Sequence, residues 1–141
     1  MKQEMKEELL KRVVELADKT KHVLIASVNG DGIPHIAASK RLSLDARNNV
    51  VLTEWFCPGT MVNHMLGRNN HLAIAVWDLK EDTGYQLIGK AKKKEDLAYL
   101  DGYASDLGKK DSVPQIQRKV TVKIDKILDF KLAPHTDIER S

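Results

Sequence analysis

The stretch HVLIASVNGDGIPHIAASKRLSL, residues 22–44, decides the architecture. Its first part, His22 to Val28, is a short apolar run with β-branched residues at Val23, Ile25 and Val28. Asn29-Gly30-Asp31-Gly32 follows, a turn whose two glycines can take positive φ. Ile33 then resumes an extended run to about Leu44. Two extended runs joined by such a turn predict a β-hairpin.

Strict alternation along the second run puts Ile36, Ala38, Lys40, Leu42 and Leu44 on one face. His35, Ser39, Arg41 and Ser43 share the other. Adjacent Lys40 and Arg41 then point to opposite faces unless a bulge intervenes. One cation falls on the more apolar side. It needs a ligand phosphate, a carboxylate, or a snorkelling path to water.

The hairpin's flanks extend the pattern. Upstream, Met5, Leu9, Val13, Leu16 and Ala17 recur at helical spacing and predict an amphipathic helix. Downstream, Asp45 to Asn49 is a turn and Val50 to Phe56 a third strand. Cys57-Pro58-Gly59 breaks it, and Thr60 is placed to cap a short helix carrying Met61, Val62, Met65 and Leu66. His71 to Trp77 reads as a fourth strand and Gly84 to Lys92 as a fifth. Leu100, Tyr103, Ala104 and Leu107 suggest a second amphipathic helix, closed by Gly108. After a polar linker, Lys109 to Pro114, the segment Gln117 to Leu132 makes one long strand or two short ones. There is no internal repeat and no regular βαβ alternation, which argues against a Rossmann domain. The expectation is a single domain over 1–141, mainly β with flanking helices (α+β). Its six or seven antiparallel strands, joined by hairpins, close into a barrel or a sandwich, either of which protects the sheet edges.

Composition narrows the class. Of 141 residues, 42% are apolar, enough for one sizeable core. The formal net charge of +3, from 23 basic and 20 acidic side chains, is too weak a field to imply nucleic acid. Cys57 is the single cysteine, so neither an intrachain disulfide nor a cysteine-based zinc site can form. The five histidines lack ligand spacing, and no metal site is expected. The charged N-terminus is unlike a signal peptide, and no apolar run reaches membrane-spanning length. A cytoplasmic protein is expected.

Four places could carry chemistry. A helix beginning at Thr60 would present unpaired N–H groups and the positive end of its dipole to an anion. Asn63 would lie one turn on. On the motif alone, Thr60 as a plain helix cap is the simpler reading. Ser39-Lys40-Arg41 is the second place, readable also as surface. Thr53-Glu54-Trp55 is the third, where Trp55 could flank a planar ligand or fill core. At Tyr85-Gln86, the side chain of Gln86 offers both a donor and an acceptor. The basic run Lys90, Lys92, Lys93 and Lys94 reads as a solvated edge, with Lys90 and Lys92 on one face.

Taken in order, these pieces resemble the pyridoxamine-5′-phosphate oxidase-like superfamily of FMN-binding split β-barrels. The likeness spans roughly His22 to Ala91: Val23 to Val28, Gly30 to His35, Ser39 to Arg41, Leu52 to Phe56, Pro58 to Thr60 with Asn63, Ala73 to Asp78 and Gly84 to Gly89. It implies a homodimer with FMN in grooves between subunits. The FMN phosphate would meet Lys40 or Arg41 and the turn at Gly59-Thr60. The isoalloxazine would lie near Ser39, Thr53 and Trp55, with Asn63 and Gln86 as further contacts. Two departures stand out. Many relatives carry a Lys where this chain has Gly59, and the C-terminus lacks the Trp- and Arg-rich substrate motif of the true oxidases. The resemblance therefore implies a flavoprotein, an oxidoreductase of unnamed substrate. A flavin carrier, or a haem- or deazaflavin-binding relative, is the alternative.

Overall fold

The computed structural model describes residues 2–28, 31–39, 42–56, 70–102, 113–134 and 136–141. One helix, α1 (Lys2–Thr20), precedes seven strands. These are β1 (Val23–Val28), β2 (Pro34–Ser39), β3 (Leu42–Leu44), β4 (Val50–Phe56), β5 (His71–Asp78), β6 (Thr83–Gly102) and β7 (Val113–Asp129). They form one sheet in the order β2-β1-β5-β6-β7-β4-β3, with every pairing antiparallel. The sheet curls into a half-barrel, as expected of a split β-barrel.

The run expected as one strand from Ile33 to Leu44 is two. Ser39 ends β2 opposite Val23, whereas Leu42 opens β3 opposite Leu52. These strands are consecutive in sequence yet occupy the two edges of the sheet. A chain that leaves one edge and joins the other draws the sheet round on itself. The alternation also reverses across this link. Ala37 and Ser39 face inward while Ile36 and Ala38 are exposed, but beyond the link Leu42 is buried. The single apolar face read through Ile36, Ala38, Leu42 and Leu44 is therefore corrected: Ile36 and Ala38 face out, and Leu42 in. Lys40 and Arg41 lie outside the described residues.

Two further expectations change. The fifth strand continues past Lys92 to Gly102, so Leu100 lies in β6 opposite Gln115 rather than in a helix. Tyr103, Ala104 and Leu107 lie outside the described residues. β7 begins at Val113, inside the expected linker, and runs unbroken to Asp129. Its ladder with β6 outweighs the helical spacing of the leucines, because strand preference is set mainly by the partner. Register shifts at Ile88/Gly89, Ala91/Lys93 and Asp96/Ala98 let the two long strands bend round the barrel.

The core fills the concave side. Val23, Ile25, Ile74, Val76, Leu87, Val122 and Ile127 are fully buried. α1 covers them with Leu10, Val13 and Ala17, one stripe at helical spacing. Lys21 takes the left-handed conformation (φ 61°) and its N–H closes the helix on Ala17 O at 2.8 Å. Two cations pin the helix to the barrel: Lys6 donates to Ile124 O, and Lys19 lies 3.0 Å from Asp78. α1 is not long and apolar enough to cross a membrane.

Candidate functional site

Thr53 is the site residue that the fold places most plainly. β4 turns Val50 and Leu52 into the core, so Thr53 faces out and is exposed. Across the sheet its row continues through Lys119 of β7 to Glu95 of β6. Trp55 follows in the same strand, opposite Gln117. Ser39 is placed otherwise. It is 4% exposed and faces the interior beside Val23, so its hydroxyl points away from the face that carries Thr53. Gly59, Thr60 and Asn63 lie outside the described residues, as do Lys40 and Arg41. The residues flanking that last pair, Ser39 and Leu42, are both buried, and Leu42 sits opposite Leu52, the neighbour of Thr53.

Gln86 is half-buried on β6, between Ala75 and Leu128, and donates to Asp137 Oδ1 at 3.4 Å. Glu95 lies nine positions further along β6, roughly 30 Å of extended strand. Within one chain, Thr53 and Gln86 are thus at distant places on the outer surface.

The strongest electrostatic contacts among the described residues are structural. The Lys19 ammonium holds the Asp78 carboxyl below its usual range, with help from the N–H groups of Glu81 and Lys80. The Leu132 and Ala133 N–H groups, at 2.7 and 3.0 Å, do the same for Asp82, which also accepts from Trp77 Nε1 at 3.2 Å. Asp45 is lowered by the N–H of Asn49, the Asn49 amide and the N–H of Arg47. Arg140 grips the buried Asp129 with Nε at 2.9–3.0 Å and Nη2 at 2.7 Å. Among the described residues, no group of three or more His, Cys, Asp or Glu gathers as a metal site would need.

Sequence reasoning missed an apolar patch on the outer sheet face. Ile36 is 77% exposed, Ile33 53%, Leu24 40% and Val28 37%. Ile36 lies opposite Ala26, and Leu24 between Ala38 and Ala75, so these side chains adjoin. The available signal was that Leu24, Ala26 and Val28 of β1 are as apolar as Val23 and Ile25 on its other face, which implies cover on both faces.

No family profile and no curated protein matches the chain. Solved structures do. HupZ of Group A Streptococcus is 18% identical, with a TM-score of 0.56 over 90% of this chain and 96% of that one. A Clostridium acetobutylicum protein related to general stress protein 26, of the pyridoxinephosphate oxidase family, is 20% identical, with a TM-score of 0.54 over 89% and 90%. An FMN-binding protein from Syntrophomonas wolfei is 13% identical, with a TM-score of 0.54 over 94% and 95%. The chain therefore has the split β-barrel fold that these proteins share.

Proposed function

We propose that the chain is a cytoplasmic FMN-binding flavoprotein that works as a homodimer and serves as an oxidoreductase. The observation that supports this most is likeness of fold along nearly the whole chain to a protein described as FMN-binding. The residues present fit the group in part. Thr53 offers an exposed hydroxyl on the outer face of β4. Lys40 or Arg41 and the Gly59-Thr60 turn would hold the phosphate, with Trp55 and Asn63 beside the ring system. Ser39 would contribute through its backbone, since its side chain is buried. Bound FMN supplies hydride or electron transfer, and these residues bind and orient it.

A second copy completes this reading. The patch of Leu24, Val28, Ile33 and Ile36 is the kind of surface that association covers.

The test is the visible absorption of the purified protein, followed by FMN titration of the colourless form with flavin fluorescence as readout. Flavin bands or saturable quenching are expected. Arg41→Ala and Thr60→Ala should each weaken binding about ten- to a hundredfold, as expected when a charge-assisted contact worth roughly 1.5–3 kcal/mol is removed. A protein that ignores FMN overturns the reading. FMN binding without turnover of a reduced nicotinamide and an acceptor would make the chain a carrier instead.

A further inference from the structure

A concavity of about 360 Å³ lies on the outer face between the Asp45–Asn49 turn and the middle of β6 and β7. Arg47, Lys92, Lys93 and Lys119 line it together with Asp45, Glu95 and the Thr121 hydroxyl. Three separate parts of the chain thus bring four cations to one spot. Like charges gathered in this way repel one another, and the arrangement is most favourable when an anion lies between them.

Both carboxylates are already engaged. Asp45 accepts the N–H groups of Arg47 and Asn49 at 2.9 Å and the Asn49 amide at 3.1 Å. Glu95 pairs with Lys93 at 2.5 Å. Among the described residues, Lys92 makes no ion pair, and Arg47 and Lys119 act on Asp45 and Glu95 through space without a direct contact. The backbone adds an independent observation. Ala91 lies opposite Val122 and Lys93 opposite Thr121, so Lys92 is the extra residue of a bulge. In a regular strand, Lys92 and Lys93 would point to opposite faces. The bulge lets both line the same concavity, and bulges re-aim side chains in this way beside functional sites.

We infer that this concavity binds the phosphate group of a small ligand, either inorganic phosphate or a phosphate monoester. Such a group carries roughly −1.5 to −2 charge near neutral pH and three acceptor oxygens. The lysine ammonium groups, the Arg47 fork and the Thr121 hydroxyl are donors suited to it. The concavity has room for a phosphate and the small body that carries it, and the carboxylates at its wall disfavour a continuous polyanion. The inference does not rest on the flavin reading. That reading puts the FMN phosphate at residues 40–41 and 59–60, whereas this concavity lies at the Val51 end of β4.

The test is an NMR titration of the full, ¹⁵N-labelled chain at constant ionic strength. Inorganic phosphate is one arm, glycerol 3-phosphate a second, and a short single-stranded oligodeoxynucleotide a third. Saturable shifts at the amides of Arg47, Lys93 and Thr121 are expected in the first or second arm, and the tighter of the two assigns the ligand's form. Lys92→Gln and Lys119→Gln should each weaken the affinity about tenfold. Lys119→Arg and the distant Lys126→Gln should leave it near the parent value. Shifts that never saturate, shifts confined to residues 40–41 and 59–60, or parent-like affinity in both glutamine variants would overturn the proposal. So would steeply salt-dependent binding of the oligonucleotide alone. The unmodified chain's titration decides the matter even where a variant does not fold.

Discussion

Gly89 is held to its identity by the approach of a neighbouring strand. A Cβ there would lie 2.3 Å from Lys123 O, beside the register shift where Asp125 is the extra residue of β7. Gly84 is similar, with Val76 O at 2.6 Å and Phe130 O at 2.7 Å from a Cβ. The obstacles are backbone, so neither can give way by a rotamer change. Gly89→Ala should destabilise the fold by about 1–3 kcal/mol, the usual cost of overpacking, read from the denaturant midpoint. An unchanged midpoint would mean that the two strands slide apart freely. Asp82 works in the opposite sense, as one carboxylate that satisfies several donors. It ties the hairpin turn between β5 and β6 to Leu132 and Ala133 beyond β7. Asp45, Asp78 and Asp82 all have folded-state pKa values below the ordinary carboxylate range. A lowered carboxylate contributes stability that is complete above its unfolded value, about 4, and is lost as pH falls through the folded value. Denaturant midpoints should therefore drop on going from pH 5 toward pH 2–3, and Asp82→Asn should flatten part of that slope.

At the scale of elements, α1 shows why its buried stripe matters more than its overall apolarity. Met5 has the right spacing yet is 58% exposed, while Leu10, absent from the stripe read in the sequence, is 1% exposed and sits on the core. Leu10→Ala should cost about 2–5 kcal/mol by leaving a cavity under the helix, whereas Met5→Ala should change little. Thermal unfolding of the two variants distinguishes these outcomes. The C-terminal segment is a second cover. Its backbone pairs with β7 through Asp129 N to Ile138 O at 2.8 Å and Arg140 N to Ile127 O at 2.6 Å, and the Arg140–Asp129 contact locks it. Arg140→Ala should loosen this clasp and speed amide exchange at Asp129 and Ile127, with β1 amides unaffected.

At the scale of the molecule, an apolar stretch lies uncovered on the outer side of β1 and β2. If the proposed homodimer is built on this stretch, Ile36→Lys should make the protein monomeric in light scattering. It should leave the monomer's stability within about 0.5 kcal/mol, because a side chain 77% exposed has little to lose. A variant that stays dimeric would place the contact elsewhere.

Local pattern was enough for much of this. The alternation of β1, β4 and β5 and the turns at Asp45–Asn49 and before Thr83 follow from short-range sterics and burial, so a sequence reader finds them within a residue or so. The mainly β class followed as well, whereas the outward face of Thr53 is set by the burial of Val50 and Leu52 in the folded strand. What the sequence could not determine lies in contacts between distant segments. Only the sheet divides the run from Ile33 to Leu44 between two edges, reversing its inward face between Ser39 and Leu42. Only the ladder with β7 carries β6 through Leu100. Only the bulge at Lys92, produced where two long strands bend together, sets Lys92 and Lys93 side by side with Arg47 and Lys119. Period-two alternation is a property of one strand, whereas edge, register and bulge are properties of a pair, and a pair exists only once the chain has folded.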